Sequence, residues 1–239
     1  MINRILDFLY PALCELCQTS LSKGRSICST CLDQLPRVQD PLCQQCGEPF
    51  DGNIGQDFTC QNCLGLTHDF LFARASLKGL PTAFHLVHNL KYRRKFFLAR
   101  DLAQLLHETI EEETRFGNFA KDAFLVPVPL HWRRQQWRQG NQAYELAREL
   151  SKRCHLPCLD ALRRIRPTNT QTKLNRSQRL SNLKGAFEVK KAHLEKIRNS
   201  NIILVDDVFT TGATAHQCTR VLRREAHADN VAILTLVRG

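Results

Sequence analysis

The chain has 239 residues, 43% of them hydrophobic, enough for one medium domain with a real core plus a small module. No apolar run approaches the ~18 residues of a membrane span, and the start, Met1 to Leu13, is too interrupted by Arg4 and Asp7 for a signal peptide, so the expected compartment is the cytoplasm. The net charge of +11 is uneven: residues 1–70 carry 4 Lys/Arg against 8 Asp/Glu, residues 71–239 carry 30 against 15, and 131–184 alone carry 13 against 3, which favours a polyanionic ligand over general solubility.

The acidic N-terminal part is built on cysteine. Eight of the eleven cysteines form four CxxC pairs, Cys14/Cys17, Cys28/Cys31, Cys43/Cys46 and Cys60/Cys63. Each CxxC turn presents two thiolates on one knuckle, and two knuckles complete a tetrahedral S4 zinc site. Sequential pairing is preferred, Cys14, Cys17, Cys28 and Cys31 on one ion and the other four on a second, with a cross-braced arrangement left open by the spacing. Such closed sites are structural, and a region this poor in apolar residues needs them to fold. No thioredoxin-like strand–CxxC–helix context argues for redox chemistry. The predicted division is therefore a zinc ribbon over 1–69 and an α/β domain over 70–239.

From Phe70 to Leu77 an alternating stretch predicts a strand. A helix follows over Thr82 to Tyr92, with Ala83, Leu86, Val87 and Leu90 inward, and another over Phe96 to Thr114. The basic run Lys91 to Lys95 between them reads equally as a solvated turn or an anion contact. Phe124 to Leu130 reads as a core strand ended by prolines. His131 to Gln142 reads as a loop in which Arg133, Arg134 and Arg138 alternate with Trp132 and Trp137, a composition suited to nucleobase stacking and phosphate contact. Trp137 packed under that loop is the competing reading. Asn141 then caps a helix over Ala143 to Lys152.

Residues 166–187 form a polar, basic stretch, with Arg166, Gln171, Lys173, Arg176 and Arg179, that reads as a flexible lid over a charged substrate. A strand begins near Phe187. Cys154, Cys158 and Cys218 read as small packed residues, and His216 as solvated. The closing pattern, Asn230 to Val237, is one more buried strand.

The most informative stretch is residues 202 to 214. Ile202 to Val205 read as a strand buried on both faces, Asp206 and Asp207 follow where it should emerge, and Thr210-Thr211-Gly212-Ala213-Thr214 leads into a helix with Ala215, Cys218, Val221 and Leu222 on one face. Loop N–H groups and hydroxyls at a helix N-terminus cradle phosphate, and two nearby carboxylates hold the vicinal hydroxyls of a ribose. The stretch resembles the PRPP-binding signature of type I phosphoribosyltransferases.

The four CxxC pairs, the Val126-to-Leu130 strand, the Gly140-Asn141-Gln142 turn, the Thr170-to-Phe187 loop and the 202–214 signature together resemble the ComF family of competence proteins, which includes gluconate-utilisation members. The resemblance implies a double zinc ribbon on an α/β, type I phosphoribosyltransferase-like parallel sheet flanked by helices. It implies Asp206 and Asp207 as ribose-binding acids and catalytic candidates, Thr210 to Thr214 as the 5′-phosphate loop, and 166–179 as the flexible loop. It further implies a role in natural transformation, with single-stranded DNA, PRPP with Mg²⁺, and other DNA-uptake proteins as partners. Two classes stay open: a DNA-handling protein with a PRPP site, and a phosphoribosyltransferase acting on a small nucleobase-like or other acceptor.

Overall fold

The apolar runs meet in one parallel sheet. The computed structural model describes residues 12–22, 24–50, 52, 58–167 and 183–239. A short helix in the cysteine-rich region (α1, Ser29–Asp33) is followed by β1 (Ala73–Lys78), α2 (Pro81–Tyr92), a 3-10 turn at Phe96–Leu98, α3 (Ala99–Glu112), α4 (Gly117–Ala120), β2 (Ala123–Pro127) and α5 (Trp132–Arg138). Next come α6 (Gln142–Cys154), β3 (Leu162–Arg164), β4 (Phe187–Val189), a 3-10 turn at Lys191–His193 and α7 (Leu194–Ile197), then β5 (Asn201–Phe209), α8 (Ala213–Glu225) and β6 (Asn230–Arg238). The sheet order is β1-β6-β5-β2, all parallel, and β3 and β4 form a separate antiparallel pair.

Alternation along the strands divides the core into two faces. Ile203 and Val205 of β5 join Leu125, Leu234 and the inner faces of α2, α3 and α6 on one side. Ile202 and Leu204 join Val126, Ile233 and the buried face of α8 on the other. Cys14, Ile27, Leu32 and Leu35 of the first ribbon pack into the former, whereas Cys43, Cys46 and Cys63 of the second pack into the latter. The two cysteine modules thus straddle the sheet. Between them the chain runs along the outer edge of β1: Lys78 N donates to Pro36 O, Val38 N to Ser76 O, and Ala73 N to Gln45 O.

The helices start where local chemistry says they should. Pro81 opens α2, where a missing N–H is harmless, and Ala83, Leu86, Val87 and Leu90 are buried as expected. Asn141 Oδ1 accepts from Ala143 N at 3.1 Å to cap α6, while its Nδ2 donates to Val128 O at the end of β2. Two expectations are corrected. The His131–Gln142 loop contains a two-turn helix, α5, because residues 132–138 hold neither Gly nor Pro and the turn is deferred to Gln139, at φ 58°. And β5 does not end at Val205: β6 pairs with it as far as Phe209↔Arg238, so both aspartates lie inside the strand.

Candidate functional site

The acid pair sits at the carboxyl ends of two parallel strands, the region where α/β sheets commonly bind ligands. Pairing of β2 with β5 stops at Pro127↔Val205, so beyond that point, among the described residues, β5 has a strand partner only on its β6 side. Being consecutive in a strand, Asp206 and Asp207 leave it on opposite faces. Asp207 is buried on the α2 side, where its Oδ1 is 2.8 Å from Lys91 Nζ and its Oδ2 has no hydrogen-bond partner among the described residues. Asp206 is half-buried on the α8 side and its Oδ1 accepts from Asp207 N at 2.8 Å. Burial, then the Asp207 charge, raises its carboxyl to about 7, against the opposing pull of Lys91 and Arg164.

Lys91, from the basic run that reads equally as a solvated turn or an anion contact, meets the carboxylate of Asp207, and Arg164 is a further site residue that the sequence does not single out. Lys91 lies four and eight residues beyond the buried Val87 and Ala83, so the helical period places it at the margin of the core face and gives a usable signal. Arg164, at the end of β3, lies over the Phe187 ring at 5.3 Å, and burial, then Arg134, lowers its guanidinium to about 10.

The expected phosphate loop follows at once. Gly212 has φ +73°, and a Cβ there would lie 2.8 Å from Phe209 Cζ, so both backbone and space demand glycine. Ala213 opens α8, and His216 N returns to Gly212 O at 2.8 Å. Thr210 is exposed and Thr211 and Thr214 are half-buried, leaving hydroxyls at the rim of a helix N-terminus. Of the flexible-loop residues, Arg166 is exposed and donates to Lys184 O, whereas Gln171, Lys173 and Arg176 lie outside the described residues. His216 is not simply solvated. Its Nε2 is 2.8 Å from His68 Nδ1, the two rings stack, and Asp69 lies 3.6 Å from its other nitrogen.

On α5 the helical spacing sorts the nucleic-acid candidates. Arg133 and Trp137 are exposed, Trp137 by 64%, and the reading with Trp137 packed under the segment does not hold. Arg138 lies over Tyr92 at 5.0 Å and donates to Gln142 Oε1, and Arg134 is half-buried. Tyr92 meets Trp137 edge-on at 5.8 Å, which extends the aromatic strip onto α2.

The cysteines fall into the sequential pairing. Sγ atoms of Cys14, Cys17, Cys28 and Cys31 lie within 4.8 Å of one another, as do those of Cys43, Cys46, Cys60 and Cys63. The Cys17–Cys28 and Cys46–Cys60 separations of 3.6 Å match the ~3.8 Å edge of a tetrahedron with ~2.3 Å Zn–S bonds. Cys28 N, Cys31 N and Cys60 N each point at a cluster sulfur at 3.3 Å. The donor set therefore fits zinc at both places. Cys154 donates to Leu150 O and packs with Cys158 against the first core, and Cys218 lies on the buried face of α8, as expected of small packed residues.

A double zinc ribbon domain model matches residues 5–64. The DNA utilization protein YhgH of Escherichia coli K12 is 32% identical over 221 residues, which span 91% of this chain and 93% of that one. Competence protein F of Haemophilus influenzae is 30% identical over 216 residues, 88% and 90% of the two chains. A hypoxanthine phosphoribosyltransferase from Staphylococcus aureus superimposes with a TM-score of 0.36 at 15% identity, over 59% of this chain and 64% of that one. With identity of that level held over nine-tenths of both curated relatives, the chain belongs to the ComF family of competence and DNA utilization proteins.

Proposed function

We propose that this protein handles single-stranded DNA during its uptake or use, and that it binds PRPP at the carboxyl end of β5. The observation that carries the PRPP reading is the buried Asp207 carboxylate. One of its oxygens lacks a hydrogen-bond partner among the described residues, and the strand that holds it leads into a loop whose Gly212 cannot be replaced without displacing Phe209. A buried carboxylate with spare acceptor capacity suits ribose hydroxyls or a hydrated cation. The loop from Thr210 to Thr214 would take the 5′-phosphate, and Asp206 and Asp207 the ribose side. Mg²⁺ arriving with PRPP would be held through these two acids, and it supplies charge neutralisation of the pyrophosphate. A ribbon of residues 1–69 with two zincs and an α/β unit of 70–239 complete this reading.

The DNA reading is supported by the exposed Arg133 and Trp137 on one face of α5, by the charge of 131–184, and by the names of the relatives. The cytoplasm is the compartment this reading calls for, since DNA is used there once it has been taken up; among the described residues no helix is long and apolar enough to cross a membrane. Other DNA-uptake proteins are the expected protein partners. A catalytic phosphoribosyl transfer is the second reading, favoured by the intact acid pair and the elevated Asp206 carboxyl. Titration of PRPP and Mg²⁺ into the full chain, with and without single-stranded DNA, followed by pyrophosphate release, tests all three. PRPP binding with no release establishes a sensor, release with DNA absent and a small base present establishes a transferase, and no PRPP binding removes the first reading.

A further inference from the structure

Arg238 is the last side chain of β6 and is 8% exposed. Its guanidinium touches two parts of the molecule at once. Nη1 donates to the carbonyls of Phe209 and Thr210, each at 3.1 Å, where β5 passes into the phosphate loop. Nη2 pairs with the carboxylate of Glu48 and lies 3.8 Å from Sγ of Cys46, one of the second set of zinc ligands. The guanidinium also lies over the Phe209 ring, 5.2 Å from its centroid, and that ring fills the space beneath Gly212.

This geometry has a direct effect on the loop. A peptide unit is planar and trans, so fixing the carbonyls of Phe209 and Thr210 also fixes the N–H groups of Thr210 and Thr211, which point the other way. A guanidinium suits the task because its donors form a rigid fork that serves several acceptors without rotamer adjustment. Its contact with a ligand sulfur is the kind of outer contact that orients metal ligands.

We propose that Arg238 is a positioning residue that couples the second cysteine cluster to the phosphate loop: while Cys43, Cys46, Cys60 and Cys63 hold their metal, it aims the N–H groups of Thr210 and Thr211 at the phosphate of the ligand. The inference rests on the reading of that loop as the PRPP phosphate site. Its consequence is a protein whose sugar-phosphate site loses affinity when the second cluster loses zinc, and whose second cluster holds zinc longer when the site is filled, because coupling between sites is reciprocal.

The test uses the full, zinc-loaded chain. PRPP with Mg²⁺ is titrated into the wild type, Arg238→Met and Arg238→Lys, and zinc release to a chromogenic chelator is timed with and without saturating PRPP. Arg238→Met should weaken PRPP about tenfold or more while zinc content at the start remains two per chain and DNA affinity is unchanged. Arg238→Lys keeps the charge but not the fork, and should recover little of the loss. Saturating PRPP should slow release of one of the two zincs in the wild type and of neither in Arg238→Met. Where Arg238→Met fails to fold, Glu48→Gln, at a partly exposed position, takes its place and should show the same effects in smaller measure. Equal PRPP affinity in wild type and variant, or zinc release indifferent to PRPP, overturns the coupling and leaves the PRPP site standing. A wild type that binds no PRPP overturns the site itself.

Discussion

Lys91 Nζ lies 2.8 Å from Oδ1 of Asp207 and joins the last turn of α2 to the buried end of β5. The lysine is one-fifth exposed and the aspartate almost wholly enclosed, so removing the cation leaves a carboxylate buried without compensation. Lys91→Met is expected to destabilise the chain by about 3 kcal/mol, read from the urea midpoint. Adding Asp207→Asn should return most of that loss, a coupling a double-mutant cycle measures. Additive effects of the two substitutions would show that the pair is not coupled.

Asp206 makes stability depend on pH. Its folded carboxyl is raised to about 7, against about 3.9 in an unfolded chain. A raised acid contributes its full stability below the unfolded value and loses it as pH rises through the folded one, here between about pH 4 and pH 7. Asp206→Asn mimics the protonated form, so it should melt like the wild type near pH 4 and above it near pH 8. Melting curves that keep the same spacing at both pH values would contradict the shift.

Gly212→Ala is expected to destabilise by about 1–2 kcal/mol through the left-handed backbone alone. The added methyl must also push the Phe209 ring aside, and that ring underlies the loop. Calorimetry should therefore show a loss of PRPP affinity larger than the loss of stability implies, with zinc content unaffected. Retained affinity would place the phosphate elsewhere.

The exposed face of α5 separates stacking from charge. Arg133→Ala should weaken all single-stranded DNA sequences alike and reduce the slope of log affinity against log salt by roughly one. Trp137→Ala should cost about 1–3 kcal/mol of binding with that slope retained. Because Trp137 is exposed, its removal should leave the melting temperature in place. A drop in melting temperature matching the drop in affinity would make it a packing residue after all.

Metal analysis should find about two zincs per chain. Cys43→Ser should remove one of them. Since Cys43 is buried in the same core as Ile202 and Leu204, the α/β unit should also lose stability, which near-ultraviolet circular dichroism would register. A variant that lost zinc but melted like the wild type would show that ribbon and sheet fold independently.

What was legible in the sequence was what is local in it. Two thiolates per CxxC knuckle, the cap of Asn141 on α6, and the succession from Ile202 to Thr214 each carry their chemistry within a few residues. The meeting of residues from distant elements did not show itself. Lys91, Arg164 and Arg238 come from three separate elements, and no spacing in the chain says that they converge on the end of β5. The strand β5 outruns its expected boundary for a related reason: an aspartate has low strand propensity, but the long apolar partner strand β6 overrides it. For α5 the Arg and Trp content drew attention to a ligand, while the absence of Gly and Pro was the better guide to structure.

The backbone bonds that Pro36, Val38 and Gln45 make along β1 have a consequence for any attempt to divide the molecule. β1 lies at one edge of the sheet, and those bonds occupy donors and acceptors that would otherwise invite a foreign strand. A fragment starting at Phe70 would bare that margin along with the apolar surfaces that Ile27, Leu32, Leu35 and the buried cysteines now cover. Such a piece should self-associate rather than persist as a monomer, so the N-terminal third serves this protein as its own guard against aggregation.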